Sequence, residues 1–292
     1  MSTNSRPLLD SHSPPPYELA QKIQCHSCDK PLPEFSESEV VRILSPPSST
    51  SQVLFFKSSI FEHRVVMKIY DPRIIDCRLF PWTLEFESQA AGHRGGAEAY
   101  REEVLYELQD PGQHPEWEEY WYTRCESHYR CEVEAYQRLF SFRGSVIPDF
   151  LGHGRLKLPK RIISPPFIPL EYIPDAVSLA SIDSKVVPRP LCEEFEVAVR
   201  QITQDGGIVH DQMHPVRILF SPANAPTRIT LIDFGNAYWE VPDECSDWEQ
   251  TAFFFDDSRV VRWLFLDHLG FEIPGTFVTP WSLLSILTSL NF

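Results

Sequence analysis

The sequence lacks any apolar segment long enough to cross a bilayer, and it does not begin with a stretch that resembles an export signal. Residues 1–18 are polar and rich in proline, whereas a signal peptide needs a continuous apolar stretch. A membrane-spanning helix needs about 20 mostly apolar residues, and the longest apolar runs here are shorter. Both absences predict a cytoplasmic or nuclear protein that is not inserted in a membrane.

Basic residues are scarce relative to acidic ones. The 26 Lys and Arg residues against 41 Asp and Glu residues give a formal net charge of −15. This excess repels phosphate backbones and anionic lipid headgroups, although one cleft can still be basic. Nucleic acid and membrane surfaces are therefore not expected as partners, and we expect a protein partner whose identity the sequence does not give.

The seven cysteines do not form a complete metal-binding pattern. Cys25 and Cys28 have the spacing of half a zinc site, which usually needs a second close pair. Cys125 and Cys131, with His128 between them, have the wrong spacing. We therefore predict free thiols in a reducing compartment and leave open whether Cys25 and Cys28 bind metal.

The pattern of apolar and turn-forming residues divides the chain into segments. Residues 1–36, rich in Pro and Ser, are predicted to form a flexible tail. A long and mostly irregular insertion is predicted at about 71–123, with an acidic helix near 97–109. The remaining elements are strands at 39–44, 52–57, 64–70 and 162–172, and helices at 126–140, 191–204 and 257–269.

Two short motifs carry the functional prediction. The first extends from Gly207 to Phe220 and contains His210-Asp-Gln212. The second extends from Arg228 to Ala237 and contains Leu-Ile-Asp-Phe-Gly, in which Asp233 follows a predicted strand and a glycine permits a sharp turn. An aspartate in such a position can hold Mg²⁺ beside a nucleotide phosphate.

The order of elements and the two motifs resemble the protein-kinase-like superfamily, including aminoglycoside phosphotransferases and divergent fungal kinase-like proteins. The resemblance implies an α+β fold of two lobes. The N-lobe, at 37–173, would contain a small antiparallel sheet and the insertion at about 71–123, and the helical C-lobe would cover 174–292. The resemblance also implies ATP and Mg²⁺ as cofactors.

Family roles can be assigned by position. Lys68, in Val-Val-Met-Lys-Ile-Tyr, would contact the α- and β-phosphates and pair with a helix glutamate. Glu132 is preferred for this pair over Glu134, which points to another face of the helix. Glu171 and Ile173 would belong to a segment whose backbone holds adenine, together with Tyr172. Asp233 would bind the metal.

The first motif departs from the family at two positions. His210 is retained, but Gln212 replaces the catalytic aspartate, and an amide cannot act as a base. Asp211 is an alternative base if the loop is shifted by one residue. Arg217 replaces an asparagine that binds metal in the family, and a permanently cationic guanidinium cannot do so.

Three arrangements are open for Arg217. It can pair with Asp233 and fill the metal site, replace the charge of the metal and bind phosphate directly, or point to solvent. The segment at 45–51 has no glycine, so the phosphate-binding turn of kinases is also missing. Asp256 or Asp257 resembles a buried acid that supports the catalytic loop, with a plain helix N-cap as the alternative.

The functional prediction is a pseudokinase that acts as a regulatory or interaction module, with ATP binding left open. The alternative is an active, atypical ATP-dependent phosphotransferase that acts on a protein or small-molecule hydroxyl. Whether the protein is an enzyme is thus undecided at this stage. An aromatic group in the insertion is a candidate partner surface, with simple packing as the alternative: Trp117, Tyr120, Trp121 and Tyr122.

Overall fold

The computed structural model describes residues 17, 22–27, 38–43, 51–57, 65–75, 78, 81–94, 115–159, 161–239 and 248–274. The chain is of mixed α+β type, with a small antiparallel sheet and several helices, as the sequence predicts. It divides into two compact units. The first lies within residues 1–126 and 154–167, and the second lies within 127–153 and 168–292.

Six strands form the sheet of the first unit, with β6 continuing into the second unit. They are β1 (Lys22–Ser27), β2 (Ser38–Ile43), β3 (Gln52–Lys57), β4 (Val65–Ile69), β5 (Gly154–Lys157) and β6 (Pro166–Glu171). Their order is β1-β2-β3-β4-β6-β5, and β5 also pairs with β1, so that the sheet closes on itself. The predicted strands at 39–44, 52–57 and 64–70 are confirmed as β2, β3 and β4.

Strand β1 corrects the prediction for the start of the chain. Residues 22–27 lie between β2 and β5 and form antiparallel pairs with both, so that pairing on two edges fixes this backbone. Tyr17 is also buried, and its hydroxyl donates to Asp71 Oδ2 at 3.0 Å. The expectation of a flexible tail is therefore wrong at these positions. Cys28 lies outside the described residues, so metal binding by Cys25 and Cys28 stays a prediction.

The core of the first unit consists of buried side chains from the sheet and from Tyr17. Alternation along a strand places every second residue on one face, as Met67 and Ile69 illustrate in β4. The cluster contains Tyr17, Val40, Leu54, Phe56, Met67, Ile69, Leu156 and Phe167.

The insertion at 71–123 is more regular than expected. It contains α1 (Leu84–His93) and the first part of α2 (Pro115–Arg138). Thr83 caps α1 by accepting a hydrogen bond from the Phe86 amide. This single capping residue is a weak indication of a helix in the sequence. The predicted acidic helix at 97–109 lies outside the described residues.

The aromatic group in α2 packs within its own helix. Trp117 and Trp121 stack at 5.9 Å, and Trp121 is only 6% exposed. Arg94 lies 3.4 Å from the ring centre of Tyr122. These contacts favour the packing interpretation over a free partner surface.

The second unit holds the remaining elements. They are β7 (Val177–Ser178), α3 (Arg189–Gln204), β8 (Ile208–Val209), β9 (Ile218–Ser221), β10 (Arg228–Leu231), β11 (Tyr238–Trp239), α4 (Trp248–Phe254) and α5 (Asp257–Leu269). The predicted helices at 191–204 and 257–269 are confirmed. Helix α3 packs on α5 through Phe195 and Phe265, and Arg262 of α5 pairs with Glu196 of α3 at 2.9 Å.

Within the residues that the structure describes, none of the helices combines the length and the apolar character that crossing a bilayer would demand.

Candidate functional site

Two small antiparallel pairings bring both motifs together. In the β9–β10 pair, Leu231 lies opposite Ile218, and in the β8–β11 pair, Tyr238 lies opposite Val209. The loop that leaves β8 and the turn that leaves β10 therefore emerge at the same end of these pairs. The amide of Ile232 continues the β9–β10 pairing by donating to the Arg217 carbonyl at 3.0 Å.

Arg217 occupies the position beside Asp233. Its Nε lies 2.7 Å from Asp233 Oδ2, and the two side chains are only 18% and 29% exposed. Its Nη1 donates to both the carbonyl and the side-chain oxygen of Gln212, at 2.7 and 2.8 Å. Of the three arrangements open from the sequence, the structure thus contains the ion pair. One guanidinium holds both the Asp of the second motif and the Gln of the first.

The backbone is unusual at two aspartates of this site. Asp211 has φ of 63° and Asp233 has φ of 75°. Residues other than glycine rarely adopt this left-handed conformation, although Asp tolerates it better than most. Such conformations concentrate at functional loops, where surrounding contacts must hold them. The contact with Arg217 is one that holds Asp233.

The acids at the start of α5 have separate roles, so both sequence interpretations hold. Asp256 is the N-cap and accepts the Ser258 amide at 3.0 Å. Asp257 is buried and accepts the His210 amide at 2.6 Å, so it supports the first motif through its backbone. Burial raises the pKa of Asp257 to about 7, because a buried carboxylate loses its hydration.

His210 is a positioning residue in this structure. Its side chain is fully buried, and its Nε2 lies 3.1 Å from the Ile232 carbonyl, which fixes that nitrogen as the donor. The ring packs edge-on against Phe234 at 4.8 Å. His210 thus connects the two motifs and is held away from solvent.

An aromatic row extends from this contact to α2. Phe234 packs against Tyr136 at 5.6 Å, and Tyr136 stacks on Phe150 at 5.4 Å. The hydroxyl of Tyr136 is buried and has no hydrogen-bond partner among the described residues. Burial raises the pKa of this phenol well above its ordinary value, and the carboxylates of Glu132 and Asp233 act in the same direction.

The preference for Glu132 over Glu134 agrees with their burial. Glu132 is fully buried, whereas Glu134 lies on the outer face of α2 and pairs with Arg138 at 2.7 Å. Gly235 lies against the face that carries Glu132, since a β-carbon there would be 3.6 Å from Glu132 Oε2 and 3.3 Å from His128 Nδ1. The second motif and Glu132 are therefore neighbours.

Lys68 belongs to the first unit. It lies in β4, is 6% exposed, and its Nζ is 5.4 Å from the ring centre of Tyr70. Its neighbours Met67 and Ile69 enter the core, so strand alternation places Lys68 on the opposite face of the sheet. Its predicted contacts with phosphate and with Glu132 stay predictions.

Glu171 forms contacts that the sequence did not predict. Its carboxylate pairs with Arg228 at 2.6 Å and accepts the Asp149 amide at 3.0 Å. Burial acts to raise the pKa of Glu171, but the hydrogen bonds from Arg228 and the Asp149 amide, together with the charge of Arg228, lower that pKa below its ordinary value. Ile173 is buried. No local signal reveals the Glu171–Arg228 pair, because the partners lie 57 residues apart.

Asp211 is the acid nearest to Gln212 in sequence. Its side chain is exposed, and partial burial raises its pKa above the ordinary value. Burial is the main cause that raises the pKa of Tyr238, and the negative charges of Asp211 and Asp257 raise it further. Asp211 is thus a carboxylate open to solvent beside the site.

The residues at this site do not fit Mg²⁺. Magnesium needs oxygen ligands and an octahedral shell, and Arg217 supplies no acceptor. Its charge also occupies the Asp233 carboxylate. Across the parts of the chain that the structure describes, no three His, Cys, Asp or Glu side chains are grouped as a metal site.

No protein-family model matches this chain, and no curated protein is significantly similar to it.

Proposed function

We propose that this protein is a pseudokinase of protein-kinase-like type, with a two-lobe fold, which serves as a regulatory or interaction module for another protein. The order of elements, the position of Lys68 in β4 and the buried Glu132 in α2 support this kinship. The two motifs lie at adjacent strand ends, as a nucleotide site of this type would require.

The Arg217–Asp233 pair carries the proposal that catalysis is lost. A phosphotransferase needs a metal to neutralise the charge that develops on the transferred phosphoryl group. In this chain the carboxylate that would hold that metal already has a cation at 2.7 Å. Because the pair is mostly shielded from solvent, salt screens it less than it would a surface pair.

Gln212 adds a second defect. The catalytic position needs a group that accepts a proton from the substrate hydroxyl, and a neutral amide does not. The Gln212 side-chain oxygen is also engaged by Arg217 at 2.8 Å. Proton acceptance is thus impaired by the amide itself, and Arg217 restrains the Gln212 side chain that would position the substrate hydroxyl.

The substitution Arg217→Asn tests the proposal. It removes the cation and supplies an amide oxygen, so we expect nucleotide binding to become dependent on Mg²⁺ where the unaltered protein shows no such dependence. Titration of MgATP against ATP in EDTA, by calorimetry, measures this. Arg189→Asn is the matched control, because Arg189 is about half exposed and its described partners, Glu193 and the Glu272 carbonyl, lie outside both motifs. Equal behaviour of Arg217→Asn and the control would contradict the proposal.

An active phosphotransferase is the second candidate, and Asp211 favours it. Its carboxylate is exposed and has a raised pKa, which suits a base. If this candidate is right, ATP-dependent phosphorylation of a protein or small-molecule hydroxyl should be lost in both Asp211→Asn and Asp233→Ala. Phosphotransfer that survives both substitutions would exclude this site as its source, and the absence of phosphotransfer from the unaltered protein would exclude the candidate.

A further inference from the structure

Tyr17 is buried, although it follows a polar and proline-rich stretch of sequence. Its side chain is fully buried and belongs to the core of the first unit. Its hydroxyl donates to Asp71 Oδ2 at 3.0 Å, and the Arg73 guanidinium lies 5.8 Å from its ring centre. The tyrosine is therefore held by apolar packing, by a hydrogen bond to a carboxylate and by a cation over its ring.

The same tyrosine completes a short recognition sequence. Residues 14–17 read Pro-Pro-Pro-Tyr, which contains the pattern Pro-Pro-x-Tyr with Pro16 at the variable position. Proline-rich sequences bind WW domains, whose grooves are lined with aromatic side chains, and the fixed φ of proline lowers the entropy that such binding costs. In this pattern the first two prolines and the tyrosine enter the groove. A WW domain would therefore need Tyr17 outside the core.

The ring of Tyr17 cannot occupy the core and a partner groove at once. Binding would expose apolar surface of the first unit and would break the hydrogen bond to Asp71, a carboxylate that Arg73 and Arg161 also hold. The apparent affinity of a ligand falls in proportion to the fraction of molecules in the competent state. We expect binding to be roughly a hundredfold weaker than for an exposed motif.

We propose that residues 14–17 are a WW-domain ligand that the first unit masks by burying Tyr17. The partner is a protein with a WW domain of the class that recognises Pro-Pro-x-Tyr, and it gains access when the contact between Tyr17 and Asp71 is broken. This inference is independent of the proposed pseudokinase site, because none of its residues belongs to the two motifs.

Calorimetric titration of the full chain with a purified WW domain of this class tests the proposal. Binding by the unaltered protein should be weak, and Asp71→Ala should tighten it at least about tenfold, because it removes the acceptor of the Tyr17 hydroxyl. In the Asp71→Ala background, Pro15→Ala should abolish the gain, whereas Pro16→Ala, at the variable position, should preserve it. Glu118→Gln breaks another buried ion pair of the first unit and should leave binding weak.

Four results would overturn the proposal. Absence of binding by Asp71→Ala would show that residues 14–17 are not a ligand. Equally tight binding by the unaltered protein would show that burial of Tyr17 does not mask the motif. A gain that survives Pro15→Ala would place the WW domain elsewhere on the chain. An equal gain in Glu118→Gln would mean that general loosening of the first unit, and not loss of the Tyr17 contact, exposes the motif.

Discussion

Replacing Asp71 by asparagine should destabilise the first unit, because this buried acid is the centre of an ionic network. Its side chain is fully buried and pairs with Arg73 at 2.6 Å and with Arg161 at 3.2 Å. Arg161 is only 4% exposed and also pairs with Glu87 at 2.7 Å. Tyr17 donates to the same carboxylate. The substitution would leave the charge of Arg161 undercompensated in the interior.

The magnitude follows from the pKa of Asp71. Burial alone would raise this pKa, but the charges and hydrogen bonds of Arg161 and Arg73 lower it from 3.8 to about 2. A difference of this size corresponds to roughly 2–3 kcal/mol in favour of the ionised form. Allowing for the undercompensated arginine, we expect Asp71→Asn to lower the free energy of unfolding by about 2–4 kcal/mol at pH 7.

The stabilisation that Asp71 contributes depends on pH in a defined direction. The unfolded chain protonates Asp71 near pH 3.8, and the folded chain near pH 2. The stabilisation is therefore complete above about pH 4 and is lost as the pH falls toward 2. Urea unfolding followed by tryptophan fluorescence should show a difference between wild type and Asp71→Asn that shrinks across this window. Glu85→Gln, at an exposed position of α1, is the matched control and should change stability by less than about 0.5 kcal/mol. A wild-type-like Asp71→Asn at pH 7 would refute the reasoning.

Three other substitutions give distinct expectations. The folded chain keeps a proton on Asp257 up to about pH 7, whereas the unfolded chain releases it near pH 4, so the unaltered protein should lose stability as the pH rises between these values. Asp257→Asn should remove this loss, and an unchanged pH profile of urea unfolding would contradict the expectation. Tyr136→Phe should raise the thermal midpoint, with a gain of about 1 kcal/mol, since it deletes a buried hydroxyl that has no hydrogen-bond partner in the described parts of the chain; a loss of stability would show that the hydroxyl is bonded. Gly206→Ala should destabilise by about 1–3 kcal/mol, because its β-carbon would lie 2.5 Å from the Ile202 carbonyl, and Gly92→Ala is the comparison at an uncrowded helix position, where a small gain is expected. Equal effects of the two alanines in urea unfolding would contradict the crowding.

The elements predicted correctly are those whose signal is local and long. Strands β2 to β4 have β-branched and aromatic residues in short runs, and α3 and α5 have a sustained helical period. Strand β1 was missed because six residues beside a polar, proline-rich stretch carry little pattern, and its place is fixed by pairing with β2 and β5. Helix α1 was not predicted, because its formation depends on one capping residue and on its contacts in the first unit.

The sequence indicated which residues belong to the site, but it did not determine their contacts. A pair between Arg217 and Asp233 could be suggested from the sequence because the family resemblance assigns both positions to one metal site. The choice among its three arrangements needed the register in which Leu231 faces Ile218. The Glu171–Arg228 pair and the buried Tyr136 hydroxyl, which has no partner among the residues that the structure describes, depend on tertiary packing, and no spacing in the sequence predicts them.

The most direct test of the central claim is calorimetric titration of the unaltered protein with ATP, once with Mg²⁺ and once with EDTA. If Arg217 has taken the place of the metal, Mg²⁺ should bring no gain, so that the protein either binds no ATP or binds it equally well or better without the metal. Binding that requires Mg²⁺ would contradict the claim, because it would mean that Asp233 gives up its arginine to a cation.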